Sequence, residues 1–121
     1  MNGKLLGLEA PIEEGIDSQT MNRAVGHFPN TNRENGNIGL GAHNRGYAVN
    51  YFEKIKLLKL GDKVQYIYRG KEKNYIVDNI VIIKDTDWSY LETTEKNRIT
   101  LITCVENEPE YRRCIQGSQI D

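Results

Sequence analysis

Hydrophobic and polar residues alternate at period two through several short stretches of this chain, which is the period of strands rather than helices. In Arg98–Val105, Thr100, Ile102 and Cys104 share one face, while Leu101, Thr103 and Val105 share the other. Residues 36–42 set Ile38, Leu40 and Ala42 in one phase and Asn37, Gly39 and Gly41 in the other, and His43 continues the second phase. Residues 63–69 align Val64, Tyr66 and Tyr68, residues 74–84 form a long β-branched run from Ile76 to Ile83, and residues 111–116 read as a last strand. Residues 17–23, 47–54 and 87–91 read as short helical turns, the first with Asp17 or Ser18 as its N-cap. Residues 24–30, rich in Gly, Pro and Asn, read as a loop. Many strands at short spacing predict an all-β fold, a closed or nearly closed β-barrel with two or three short helices.

Length and charge narrow the class. A chain of 121 residues with no repeat, low-complexity tract or linker is one domain over 1–121, long enough to bury about two-thirds of its unfolded surface. A net charge of -1 argues against a nucleic-acid partner, because neutralising phosphates takes a clustered basic excess. Lys54, Lys56 and Lys59 read as a solvated face. No apolar run approaches the roughly 20 residues that span a bilayer, so the chain is expected to be soluble as it stands. Nothing near Met1-Asn2-Gly3 has the pattern of a signal peptide.

The chemistry turns on Cys104. A cysteine in a strand is often a packed core residue. A nucleophilic thiol needs a base or positive charge beside it, and the chain offers two histidines. His43 lies on the face that carries Gly39 and Gly41, a nearly bare surface that a peptide or another backbone could approach closely. His27, in the predicted loop, reads as structural or as part of a cleft wall. A turn at residues 106–110 would fold the last strand back beside Cys104, and two arginines compete for that place. Tyr111 and Ile115 are the natural core-facing pair, which leaves Arg112 on the face of Cys104. Arg113 in the core phase is awkward unless a bulge changes the phase. Cys114 then falls diagonally from Cys104, about 7–8 Å away, too far for an unstrained bridge. A free thiol at Cys104 and a packed Cys114 are expected. Trp88 reads as a core aromatic capping the barrel rather than a substrate contact.

Together, Thr100-Leu101-Ile102-Thr103-Cys104, a histidine after a glycine-containing strand and an arginine on the strand after the cysteine resemble the sortases, the bacterial cysteine transpeptidases. Gly26-His27-Phe28-Pro29 and Leu60-Gly61-Asp62-Lys63-Val64 extend the resemblance over about residues 5 to 117. Two departures stand beside it: the family usually has Ala-Gly-His where this chain has Gly41-Ala42-His43, and an apolar residue where this chain has Arg113. The resemblance implies a mixed barrel of about seven to eight strands, with Cys104, His43 and Arg112 catalytic and Gly41, Thr100, Ile102 and Thr103 lining the substrate groove. It implies cleavage of a Leu-Pro-x-Thr-Gly or Leu-Pro-x-Thr-Ala sorting signal after its threonine, through a thioester, and transfer to a cell-wall precursor amine. Surface proteins bearing that signal and the peptidoglycan amine are the implied partners. The implied location is the outer face of the membrane behind a preceding anchor, and a monomer is expected. No cofactor is needed, although some relatives bind calcium near the loop that here carries Glu92 and Glu95. The eight-position interval from Cys104 to Arg112 and the tail Arg112 to Gly117 look most similar to class D sortases. A hydrolase using the same three side chains and a non-catalytic peptide-binding barrel remain as alternatives.

Overall fold

A computed structural model describes residues 3–6, 10–44, 47 and 49–120. The strands are β1 (Gly3–Leu6), β2 (Ala10–Glu14), β3 (Val25–His27), β4 (Asn37–Gly41), β5 (Lys63–Tyr68), β6 (Lys71–Lys84), β7 (Arg98–Val105) and β8 (Glu108–Gln119). They close into a barrel in the order β1-β2-β3-β4-β7-β8-β6-β5, with β5 pairing back onto β1. The barrel is mixed: β2–β3 and β4–β7 are parallel and the other pairs antiparallel. This is the all-β closed barrel that the strand spacing predicts.

Alternation explains the interior. Val64, Tyr66 and Tyr68 of β5 meet Ile38 and Leu40 of β4, Ile99 and Leu101 of β7 and Ile115 of β8 in one buried core. Each such side chain contributes about 1.5–3 kcal/mol relative to its exposed state. β7 is covered on both faces, because Ile102 packs outside the barrel with Ile83 and Cys114 beneath Phe28, Tyr90 and Leu91.

β6 changes face partway along. Tyr75 and Val77 belong to the barrel core, whereas Val81 and Ile83 pack in the outer cluster. A register shift between Val77 and Asn79 inserts Asp78 as an extra residue and reverses the phase. Arg98 donates to both carboxylate oxygens of Asp78 at 3.1 and 2.9 Å, and Ser118 Oγ donates at 2.5 Å. These bonds hold the Asp78 carboxyl below its usual range despite the opposing effect of burial.

Two local expectations are corrected. Residues 24–30 are not wholly a loop: Val25–His27 is a buried strand between β2 and β4. Gly26 is there for close approach, since a Cβ would stand 2.2 Å from the Gly15 carbonyl oxygen. His27 is fully buried, with Nδ1 2.9 Å from Glu14 Oε2 and Nε2 2.7 Å from the Asn32 carbonyl oxygen. The helix expected over 47–54 is replaced by turns at 51–54 and a 3-10 helix at Ile55–Leu57. Asn50 Oδ1 accepts from Tyr47 N at 3.3 Å and Asn50 Nδ2 donates to Tyr47 O at 3.0 Å, giving locally what a helix would otherwise supply. Residues 45, 46 and 48, the last of them within that span, lie outside the described residues.

The other helical turns fall where the pattern places them. α1 (Ser18–Met21) is capped by the Asp17 carboxylate, which accepts from Thr20 N at 2.9 Å. A 3-10 helix at Ser89–Leu91 follows Asp87, which accepts from Ser89 N at 3.1 Å. No helix among the described residues is long and apolar enough to cross a membrane.

Candidate active site

The parallel seam between β4 and β7 sets the site. Gly41 pairs with Ile102, so two residues further along each strand, in the same phase, stand His43 and Cys104. Side-chain bonds extend the seam past the end of β4: Thr103 Oγ1 donates to the Ala42 carbonyl at 2.7 Å, and Asn44 Nδ2 donates to the Cys104 carbonyl at 2.8 Å. Cys104 is exposed at the open end of β7.

Arg112 approaches from the other side. It pairs with Cys104 across the β7–β8 ladder, although Val105 pairs with Glu108 one residue further on. Residues 109–111 are therefore extra, a bulge at the hairpin's neck, and Asn107 in the turn takes φ +62°. The Arg112 guanidinium closes the bulge: Nη1 donates to the carbonyls of Pro109 and Tyr111 at 2.7 and 2.8 Å. Its other N–H groups make no hydrogen bond among the described residues, and Arg112 lines the same pocket as Cys104 and His43.

That pocket encloses about 350 Å³. Its floor is apolar, with Ile102, Ile83 and Phe28, and its rim carries Lys84, Asp85 and Asp87. Hydrogen bonds from the Ser89 hydroxyl and backbone keep the Asp87 carboxyl below its usual range. Burial lowers the His43 imidazole from its ordinary value, favouring the neutral ring. Its Nε2 is buried with no hydrogen-bond partner among the described residues, and Tyr47 stacks on the ring at 3.6 Å between centroids. A neutral imidazole with an unengaged nitrogen beside a thiol can take up the thiol proton. A fixed guanidinium on the other side can donate to an oxygen that gains negative charge.

Cys114 has the opposite environment. It is fully buried in the outer cluster, and burial pushes its thiol up to about 12. Both cysteines are free.

Of the residues expected to line the groove, Gly41, Ile102 and Thr103 border the pocket and Thr100 does not. Thr100 is buried, donating to Asn37 Oδ1 at 2.7 Å and accepting from Gln116 Nε2 at 3.1 Å. Asn37 Nδ2 in turn donates to the carbonyls of Tyr90 and Glu92 at 2.8 and 3.0 Å. Thr100 thus helps to pin the loop after β6 onto the sheet. The bare surface over the glycines is also filled: a Cβ on Gly39 would meet Leu91 Cδ2 at 2.7 Å, and one on Gly41 would meet Phe28 Cε2 at 3.1 Å. The glycines admit side chains of this chain, and the pocket opens only beyond Gly41.

Trp88 is 59% exposed and meets Phe28 edge-on at 6.4 Å. It borders the pocket rather than capping the core. Asn44 and Tyr47 were not legible as site residues, because their roles depend on the path of the chain after His43. Among the described residues no three His, Cys, Asp or Glu side chains gather as metal ligands, and Glu92 and Glu95 are exposed.

The fold and pocket define a closed mixed barrel with a cysteine-centred site at one end of a parallel seam. Residues 4–119 match the sortase domain, and the chain belongs to the sortase family. It is 28% identical over 116 residues to Sortase A of Bacillus anthracis, covering 95% of this chain and 55% of that protein. It is 28% identical over 123 residues to Sortase D of Bacillus subtilis (strain 168), covering 95% of this chain and 60% of the relative. The chain thus spans little more than half the length of these curated relatives. Its fold is similar to that of a lid mutant of Sortase A from Corynebacterium diphtheriae, with TM-score 0.90, 22% identity and coverage of 98% of this chain and 69% of that one. Sortase C-1 from Actinomyces oris superposes with TM-score 0.90 at 24% identity, covering 98% and 73% of the two chains.

Proposed function

We propose that this chain is the catalytic domain of a cysteine transpeptidase that joins surface proteins to the cell wall. The observation that carries the reading is that Cys104 of β7, Arg112 of the neighbouring β8 and His43, just past the end of the neighbouring β4, all line one pocket. The substrate class is a sorting signal of the Leu-Pro-x-Thr-Gly or Leu-Pro-x-Thr-Ala type. An extended peptide enters over Ile102 and presents the carbonyl of its threonine to Cys104.

Cys104, as thiolate, adds to that carbonyl carbon, and the C–N bond breaks as His43 gives a proton to the departing amine. A thioester remains on Cys104. The amine of a cell-wall precursor then attacks it, His43 takes the amine's proton, and the thiolate leaves. Arg112 donates to the substrate oxygen through both additions. The Cys104 thiol and the incoming amine supply both nucleophiles and both protons, which His43 carries, so these steps call for no metal.

The domain acts as a monomer at the outer face of the membrane, behind an anchor that precedes it. The eight-position interval from Cys104 to Arg112 favours class D, while the identity to Sortase A and Sortase D is the same, 28%. Mixing the protein with a fluorescent sorting peptide and hydroxylamine tests the reaction: the expected products are the threonine hydroxamate and a thioester adduct on Cys104 visible by mass spectrometry. Release of free acid alone, undiminished at high hydroxylamine, makes the protein a hydrolase instead. Unchanged turnover in Cys104→Ala would remove the thiol from the mechanism.

A further inference from the structure

Tyr47 is a large aromatic left 58% exposed, so core burial does not account for its position. Its ring lies on the His43 imidazole with the planes 9° apart and the centroids 3.6 Å apart. The stretch carrying it is fastened at both ends. Phe52, fully buried in the barrel core, donates its N–H to the His43 carbonyl at 3.1 Å. Asn50 brackets the Tyr47 backbone from both sides, accepting at 3.3 Å and donating at 3.0 Å. These bonds tie Phe52 to His43 and Asn50 to Tyr47, and the phenol ring meets the histidine face-on.

We propose that Tyr47 is a positioning residue of the catalytic centre, lying flat on the His43 imidazole so that the ring keeps one plane beside Cys104 and sheds water from that face.

A histidine at the end of a strand, with one nitrogen unpartnered, is otherwise free to turn about its terminal torsion, which has only a broad preference. Among the described residues the hydrogen bonds at this end of the seam fall on backbone carbonyls and not on the ring: Thr103 bonds that of Ala42, Asn44 that of Cys104, and Ala42 N that of Ile102. The stack supplies the missing restraint. An aromatic ring can hold an imidazole plane without occupying its nitrogens, which leaves Nε2 for proton transfer. Aromatic contact also covers the ring, in keeping with the dehydration that favours its neutral form. The charged and titratable groups sharing the pocket with His43 are Cys104 on β7, Arg112 on β8, and Lys84, Asp85 and Asp87 at and beyond the end of β6. Tyr47 changes none of these charges, so its effect is confined to the ring that it covers.

The inference rests on the proposed acid–base role of His43, and its test separates the two. Tyr47→Ala removes the ring, Tyr47→Leu keeps apolar bulk without a flat face, and Tyr47→Phe keeps the face without the hydroxyl. The His43 imidazole resonance, assigned with His43→Gln, is titrated by NMR in the absence of any substrate. Thioester formation on Cys104 is followed by quenched flow and mass spectrometry, and thermal midpoints check that each variant is folded.

In Tyr47→Ala the His43 titration moves toward higher pH. In both Tyr47→Ala and Tyr47→Leu thioester formation slows about tenfold, with KM changed less than about twofold. Tyr47→Phe restores both readouts to within about twofold of the parent. An unchanged titration and rate in Tyr47→Ala overturn the proposal. So does a Tyr47→Leu that matches Tyr47→Phe, because burial and not stacking is then sufficient. If the parent forms no thioester with any sorting peptide, the transpeptidase reading fails, while the titration still reports whether Tyr47 governs the ring.

Discussion

Arg112 stands directly opposite Cys104 although the hairpin turn alone would not put it there. A regular ladder leading back from the Val105–Glu108 pair would bring Pro109, which has no N–H, opposite the thiol. Three extra residues displace it, and the Arg112 side chain bonds two of their carbonyls, at Pro109 and Tyr111. The arginine therefore shapes the bulge that places it.

Replacement of Arg112 should have two effects. Arg112→Ala should lower kcat/KM by about 10²–10³-fold through loss of an oxyanion donor, and should destabilise the hairpin by about 1 kcal/mol through loss of the two carbonyl bonds. Arg112→Lys should recover only part of either, since an ammonium lacks the planar fork. Peptide-cleavage kinetics and urea midpoints measure both, and an Arg112→Lys equal to the parent would show that charge alone suffices.

The two thiols should react very differently. Iodoacetamide at pH 8 should label Cys104 and leave Cys114 unmodified in the folded protein, because Cys114 is buried with its thiol pushed up to about 12. Peptide mapping of the labelled protein reads the ratio. Cys114→Ala should leave the labelling of Cys104 intact while costing about 1–2 kcal/mol for the small cavity it opens.

Thr100→Val keeps the side-chain shape and removes one hydroxyl from the network joining Asn37, Gln116 and the Tyr90 carbonyl. Two buried polar groups lose a partner, at a cost of about 1–3 kcal/mol. Amide exchange should quicken at residues 89–92, whose loop the network pins, and protection equal to the parent's would count against that anchoring role.

Acid should weaken the fold in part through His43. Its value in the folded protein lies below the ordinary 6.5 because burial disfavours the charged ring. As pH falls below 6.5 the unfolded chain takes up a proton that the folded one refuses, and stability drops until the folded value is passed. Above 6.5 both forms are neutral and the effect vanishes. Urea midpoints between pH 7.5 and 5 should therefore fall more for the parent than for His43→Gln; parallel curves would contradict this.

How far the sequence reveals the molecule depends on whether phase survives along each strand. In β7 it does, and alternation correctly separated Leu101 from Ile102 and aligned Cys104 with Arg112 once the strands paired. In β6 it does not. The Asp78-Asn79 pair interrupts the β-branched run without saying that the strand changes face there, and the extra position is held by Arg98 and Ser118, 20 and 40 positions further along the chain. Gly26 looked like a turn signal and Gly39 like room for a ligand. Both are places where another part of this chain comes within reach, Gly15 in one case and Thr31 with Leu91 in the other. Glycine records that something approaches, and only the fold says what.

The bonds fastening the site run between residues far apart along the chain: Thr103 to Ala42 across 61 positions and Asn44 to Cys104 across 60. Closing loops of that length is slow and carries an entropic cost that local structure cannot offset. A chain that has formed only its first four strands, or only its last four, therefore holds a histidine or a cysteine but not the pair. On the proposed reading, the thiol acquires its histidine only when the ring of strands shuts, so its activation waits until folding is nearly complete.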